Sequence, residues 1–309
     1  MANAAMREAY GDALLEIASD EKVVVIDGDL SKATSSAKFA KEYPERFFNM
    51  GIAEQNLMGT AAGMAISGLK PYASTFAMFA TGRAYEQIRN AICYPNAGVR
   101  IVATHAGLSP NADGGSHQTV EDIALMRVIP NMTVLSPCDY NQAKTMVKQM
   151  KDMTSPVYMR LSRHVTQDVT DPGDSVDFGK ADVLKDGSDI CIVATGVMVG
   201  PALEAARKLA EKNINASVIN VHTIKPFDEE TILEYAKKCG KILTVEEHSI
   251  MGGLGSAVCE TVSKIGNCMV DRLGITDQFG QSGDLDELME YYGLTKESIE
   301  YRAFELIKK

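Results

Sequence analysis

Four continuous apolar runs, KVVVID at 22–27, RIVAT at 100–104, MTVLSP at 132–137 and PVYMRL at 156–161, are separated by stretches of helical periodicity. A strand with one solvated face alternates apolar and polar residues. An unbroken β-branched run instead suits a strand covered on both faces, as in a parallel sheet flanked by helices. An opening helix is expected where Met6, Ala9, Tyr10, Ala13, Leu14 and Ile17 recur at three-and-four spacing, with further helices near 53–67, 82–94, 119–127 and 139–152. Strand and helix alternating in this way predict an α/β fold with a mostly parallel sheet.

From about 165 to 187 the chain turns polar and rich in Asp, Thr, Gly and Pro, as a domain connection does. The alternation then resumes. DICIVAT, ASVINV and KILTVEE read as strands, and PALEAARKLAEKN, DEETILEYAKKCG and LGSAVCETVSKIG as helices. Thr295 is placed to cap a last amphipathic helix carrying Ile299, Ala303, Leu306 and Ile307. The chain thus divides into a unit at 1–165, a connection at 166–186 and a unit at 187–309, each a mostly parallel sheet flanked by helices. Its 309 residues, 45% hydrophobic, are enough for two cores of ordinary domain size.

The net charge of −10 disfavours general affinity for nucleic acid or an anionic membrane, leaving positive charge to act locally on a small anionic substrate. No apolar run approaches the ~18 residues of a membrane span, and MANAAMREAY lacks the order of a signal peptide, so a cytoplasmic protein is expected. Cys93, Cys138, Cys191, Cys239, Cys259 and Cys268 are scattered without a C-x-x-C pair, and neither a disulfide framework nor a zinc site is indicated. The sequons at Asn131 and Asn215 then carry no meaning.

Three proton-handling side chains, His105, Asp113 and His117, lie within thirteen residues in HAGLSPNADGGSHQ, between a strand and a helix. Gly107, Pro110, Gly114 and Gly115 break regular structure there, so these groups can converge on a small polar molecule at the end of a sheet. Asp113 before Gly114 also favours an ordinary turn, and the residues alone leave both readings open. Glu54 stands at the start of a Gly- and Ala-rich helix in FNMGIAEQNLMGTAAGMAISG, where the helix dipole favours an acid. The near absence of charge from Phe47 to Ser67 predicts a buried carboxyl held in its protonated form. Gly59 and Gly63, four residues apart, permit close packing of another backbone. Phe76 and Phe79, in STFAMF, read as core residues by themselves. The G-G-x-G of Gly252, Gly253 and Gly255 opens a helix after a strand without the full dinucleotide pattern, and a structural turn or a contact loop fits it better.

Taken together, these segments resemble the transketolase family in the half that binds the pyrimidine of thiamine diphosphate. The resemblance rests on an acid in G-I-A-E-Q-N, the S-T-F-x-M-F aromatic segment, and a His, Asp, His series at spacings of eight and four ending in H-Q. It implies that Glu54 hydrogen-bonds the pyrimidine ring nitrogen and so promotes deprotonation of the thiazolium carbon. It implies further that Phe76 and Phe79 wall the pyrimidine and that Asp29, in DGDLSKAT, lines the cofactor cleft. On the substrate side, Asp113 would read a sugar hydroxyl, and His105 and His117 would hydrogen-bond hydroxyls or a phosphate oxygen and assist proton transfer. Arg163 would anchor a phosphate, with Arg160 a second candidate for that role.

The chain also departs from the family. Gly82 stands where a third aromatic is usual, so the pyrimidine pocket is expected either to be looser or to be completed by Tyr85, and Ala33 stands where a phosphate-contacting serine is usual. The G-D-G motif and following Asn that hold Mg²⁺ and the diphosphate have no counterpart, and the DGD at 27–29 is a look-alike in the wrong unit. The resemblance therefore implies a split transketolase. This chain would self-associate as a dimer core, and an N-terminal subunit holding the Mg²⁺ and diphosphate would complete a heterotetramer acting on sugar phosphates in pentose phosphate metabolism. The β subunit of a 2-oxo-acid dehydrogenase first component and a non-catalytic partner subunit are the alternatives.

Overall fold

The structure is a computed structural model that describes residues 4–309; residues 1–3 of the first unit lie outside the described residues. Seven strands form the first sheet in the order β10-β5-β6-β4-β3-β1-β2. They are β1 (Val23–Asp27), β2 (Phe47–Asn49), β3 (Lys70–Phe76), β4 (Arg100–Thr104), β5 (Thr133–Leu135), β6 (Val157–Arg160) and β10 (Thr223–Lys225). All pair in parallel except β10, which runs antiparallel to β5 at the sheet edge. The second sheet has the order β12-β11-β8-β9-β7, made of β7 (Asp182–Lys185), β8 (Ile190–Ala194), β9 (Ala216–Asn220), β11 (Lys241–Ser249) and β12 (Met269–Ile275). Only β7 is antiparallel there.

The continuous apolar runs form the sheet interiors: β1, β4, β8 and β9 are buried along their whole length. In the opening helix, Met6–Ile17, all six residues of the expected stripe are buried. Thr295 caps the last helix, Lys296–Lys308, accepting the Ser298 N–H at 3.2 Å. Among the described residues no helix is long and apolar enough to cross a membrane.

Three details differ from the sequence expectation. β7 lies inside the 166–186 stretch read as a connection and adds an edge strand to the second sheet by pairing with β9. β2, β3 and β12 were not anticipated, because β3 carries Pro71 with buried Ser74 and Thr75, and β2 and β12 are partly exposed edge strands. β10 comes from the chain beyond 187 yet pairs into the first sheet, so the two units share a sheet edge as well as apolar contacts.

Candidate active site

The parallel strands β2, β1, β3, β4 and β6 present their carboxyl ends to one edge of the first sheet, where α/β proteins place ligand-binding groups. Asp29 follows β1, Glu54 follows β2, Phe76 ends β3, His105 follows β4 and Arg163 follows β6. The fold thus gathers residues spread over more than a hundred positions onto one edge.

Glu54 is the first residue of helix Glu54–Ile66 and is 1% exposed. Its shell is not free of charge, as the local sequence led us to expect. The Arg83 guanidinium donates from Nη1 to Oε2 at 2.8 Å, an ionic partner that corrects the picture of an isolated carboxyl group. Arg83 closes a π-helical turn, Phe79–Arg83, and its guanidinium lies 4.5 Å from the centroid of the Phe79 ring. Phe79 stacks on Phe76 at 6.0 Å between centroids, and Phe76 stacks on His105 at 3.9 Å. His117 meets Phe79 edge-on at 5.2 Å. Glu54, Arg83, Phe79, Phe76 and His105 therefore form one continuous row, with His117 against its middle.

His105 has a positive φ of 58° and is buried, its Nδ1 2.9 Å from the Thr104 hydroxyl. Burial, with the nearby Arg163 charge adding to it, pushes the imidazole down to about 3. His105 is therefore neutral near pH 7. His117 is half-buried, with Nδ1 3.0 Å from the Ser116 hydroxyl. Asp113 sits on the short turn Asn111–Asp113 with an exposed side chain, and no hydrogen bond, ion pair or ring contact joins it to the row. Asp29, also at positive φ, is exposed and accepts from Asn49 Nδ2 at 2.7 Å. Its neighbour Asp27 is fully buried and holds the loop, accepting the Leu30 N–H at 2.6 Å and the hydroxyls of Thr34 and Ser36 at 2.8 and 2.9 Å.

Arg163 is exposed, and its guanidinium has no hydrogen-bond or ion-pair partner among the described residues. Arg160 is different. It is buried and ion-paired to Asp122 at 2.9 Å, with a second hydrogen bond to the Glu247 carbonyl, and this corrects its candidacy as a phosphate anchor. Tyr85 packs half-buried against the apolar core without ring contact to Phe79, and the group over the Phe79 ring is the Arg83 guanidinium. Arg83 escaped the sequence reading, although it is the only cation between Lys70 and Arg89. The Gly252–Gly255 turn is structural. The Leu254 and Gly255 N–H groups at the helix start donate to the buried Glu246 carboxylate at 2.7 and 2.8 Å.

The carboxyl edge of the first sheet thus carries a buried acid, a stacked aromatic pair and two imidazoles within one run of contacts. The chain belongs to the transketolase family, whose members depend on thiamine diphosphate: family models described as transketolase, pyrimidine binding domain and transketolase, C-terminal domain match residues 2–168 and 179–299. A Methanocaldococcus jannaschii chain with the provisional name of a transketolase C-terminal section is 49% identical over 308 residues, covering 98% of this chain and 96% of that one. A 6-deoxy-6-sulfo-D-fructose transketolase subunit from a Clostridium species is 40% identical over 307 residues, covering 98% and 95%. A solved structure described as a split gene transketolase, inactive beta4 tetramer, superimposes with a TM-score of 0.92 at 48% identity, covering 98% of each chain.

Proposed function

We propose that the chain is the C-terminal subunit of a split, thiamine diphosphate-dependent transketolase that moves a two-carbon ketol unit from a ketose phosphate to an aldose acceptor. The carrying observation is the continuous row from Glu54 through Arg83, Phe79 and Phe76 to His105, with an acid at one end, an imidazole at the other and His117 against its middle. Its parts fit the pyrimidine half of the cofactor. Phe76 and Phe79 offer a flat apolar wall, and Glu54 offers a buried carboxyl group to a ring nitrogen. Bound there, thiamine diphosphate supplies the electron sink that lets a carbon–carbon bond break. Glu54 meets a ring nitrogen at the pyrimidine end of the row, and Arg83 orients its carboxylate. His105, neutral and fixed by stacking, presents a hydrogen-bonding ring nitrogen to a carbonyl or hydroxyl group, with His117 facing the same ring pair. Arg163, unpaired beside His105, suits bidentate contact with the terminal phosphate of the sugar. Asp113 is assigned to a sugar hydroxyl and Asp29 to the cofactor side of the cleft.

Mg²⁺ and the diphosphate are assigned to an N-terminal partner subunit. The description of the similar solved structure as an inactive tetramer of one chain type supports that reading. The outer face of helix Glu54–Ile66, with exposed Gly59, Gly63 and Ile66, supports self-association of this chain. The test is to mix the purified chain with its N-terminal partner and assay ketol transfer between sugar phosphates beside decarboxylation of 2-oxo acids. Ketol transfer by the mixture and by neither chain alone is expected. Decarboxylation without ketol transfer would favour a 2-oxo-acid dehydrogenase component, and neither activity with no cofactor bound would favour a non-catalytic partner.

A further inference from the structure

The loop that carries His105, Asp113 and His117 is gripped from outside its own unit. Glu247, on β11 of the second sheet, is 3% exposed, and its Oε1 accepts the Leu108 N–H at 2.8 Å. Its carboxyl group fills the space beside Gly107, where an added Cβ would lie 2.3 Å from the Glu247 Cδ; the φ of +64° at Gly107 already disfavours a side chain. The same strand end holds the far side of the loop. The Ser249 N–H donates to the Val120 carbonyl at 2.6 Å, and the Ala124 N–H to His248 Nε2 at 3.3 Å. At the tip, the Ser282 hydroxyl donates to the Ala112 carbonyl at 2.8 Å, and Gln118 Nε2 to the Gln281 carbonyl at 3.0 Å. A buried carboxyl group is a costly way to fill space, and the hydrogen bond Glu247 makes is to the root of this loop.

We propose that Glu247 is a positioning residue: by holding Leu108 and filling the space beside Gly107, it sets the loop so that His105 and His117 meet the substrate. The proposal rests on the transketolase reading above. It makes the second unit a working part of the substrate site, acting through the backbone of the loop.

The experiment uses the complex with the N-terminal subunit and the variants Glu247→Ala and Glu247→Gln. Thiamine diphosphate affinity, kcat, donor KM and hydrogen exchange of the 107–118 amides are measured. Glu247→Ala is expected to lower kcat/KM by on the order of tenfold or more through donor KM, because small misplacements of positioning groups are amplified in rate. Cofactor affinity stays unchanged, and exchange at Leu108 and its neighbours quickens. Glu247→Gln, which keeps an oxygen acceptor for Leu108, restores both. A second arm covers instability of the alanine variant. Gly107→Ala pushes on the same contact from the loop side, and its damage should be smaller in a Glu247→Ala background than in the wild type. Unaltered loop exchange in Glu247→Ala, or parallel loss of cofactor affinity and donor KM, would overturn the proposal. If the wild-type complex transfers no ketol unit, the functional reading fails separately, and the exchange measurement alone decides whether Glu247 holds the loop.

Discussion

Glu54 faces a guanidinium at the head of its helix, so its carboxyl group is oriented before any cofactor arrives. Glu54→Gln keeps the shape and a hydrogen bond to Arg83 but cannot exchange a proton with a pyrimidine nitrogen. Turnover is expected to fall by roughly 10²–10⁴, the usual contribution of a general acid or base, with the fold unchanged by circular dichroism. Near-wild-type ketol transfer would remove Glu54 from the chemistry. Arg163→Ala should weaken phosphorylated substrates by about 1.5–3 kcal/mol, the worth of a charged hydrogen bond, and leave unphosphorylated analogues nearly untouched. Equal loss for both substrate kinds would place Arg163 elsewhere. Glu247 and His105 make opposing contributions to the pH dependence of stability. Burial raises Glu247 from 4.5 to about 7, so across that window the native state binds more protons than the unfolded chain and stability falls as pH rises. Burial lowers His105 from 6.5 to about 3, so its contribution falls as pH drops through that range. Glu247→Gln removes the first effect only. Its melting temperature relative to wild type should climb from about pH 4.5 to about pH 7 and level off above, as thermal melts across that range would reveal.

The junction of β6, helix Asp122–Arg127 and β11 is built on a buried ion pair. Asp122 accepts from Arg160 and from the Tyr158 hydroxyl at 2.9 and 2.7 Å, and Arg160 reaches across to the Glu247 carbonyl. Arg160→Ala leaves the Asp122 charge uncompensated and should cost about 3–5 kcal/mol in chemical denaturation. Replacing Arg160 and Asp122 together with apolar residues of similar volume should cost much less, and equal losses would show that the charge is not the cause. The interior strands were legible because burial on both faces leaves an unbroken apolar run. β3 was hidden by Ser74 and Thr75, and the Ser74 hydroxyl is satisfied inside the core by the Tyr10 hydroxyl at 2.5 Å, a partner 64 positions away. β12 was hidden by Asp271 and Arg272, residues an edge strand can carry, with Asp271 paired to Arg302 at 2.8 Å. The site divided in the same way. Glu54, His105 and His117 stood out by local context and spacing and Phe76 and Phe79 only through the family resemblance, whereas Arg83 and Glu247 act on partners 29 and 139 positions away, which no local pattern records.

For the molecule as a whole, the proposed function divides the cofactor between two chains, with the pyrimidine assigned to this one and the metal-bound diphosphate to its partner. Calorimetric titration of the isolated chain with thiamine diphosphate and Mg²⁺ is expected to give weak or no binding, because that reading assigns the ionic part of the interaction to the partner. Adding the N-terminal subunit should give tight, Mg²⁺-dependent binding, and tight binding by the chain alone would overturn the split-enzyme reading. β10 bears on how the chain can be divided. It leaves the second unit to cover the outer edge of β5, and Lys225 at its end donates to the carbonyls of Arg127 and Ile129 at 3.1 and 2.5 Å. A fragment ending in the polar connection would keep every residue of the row from Glu54 to His105 yet bare a strand edge that readily recruits strands from other molecules. Such a fragment should aggregate, so the seam that looks safest to cut in the sequence is a place where the folded chain is sewn together.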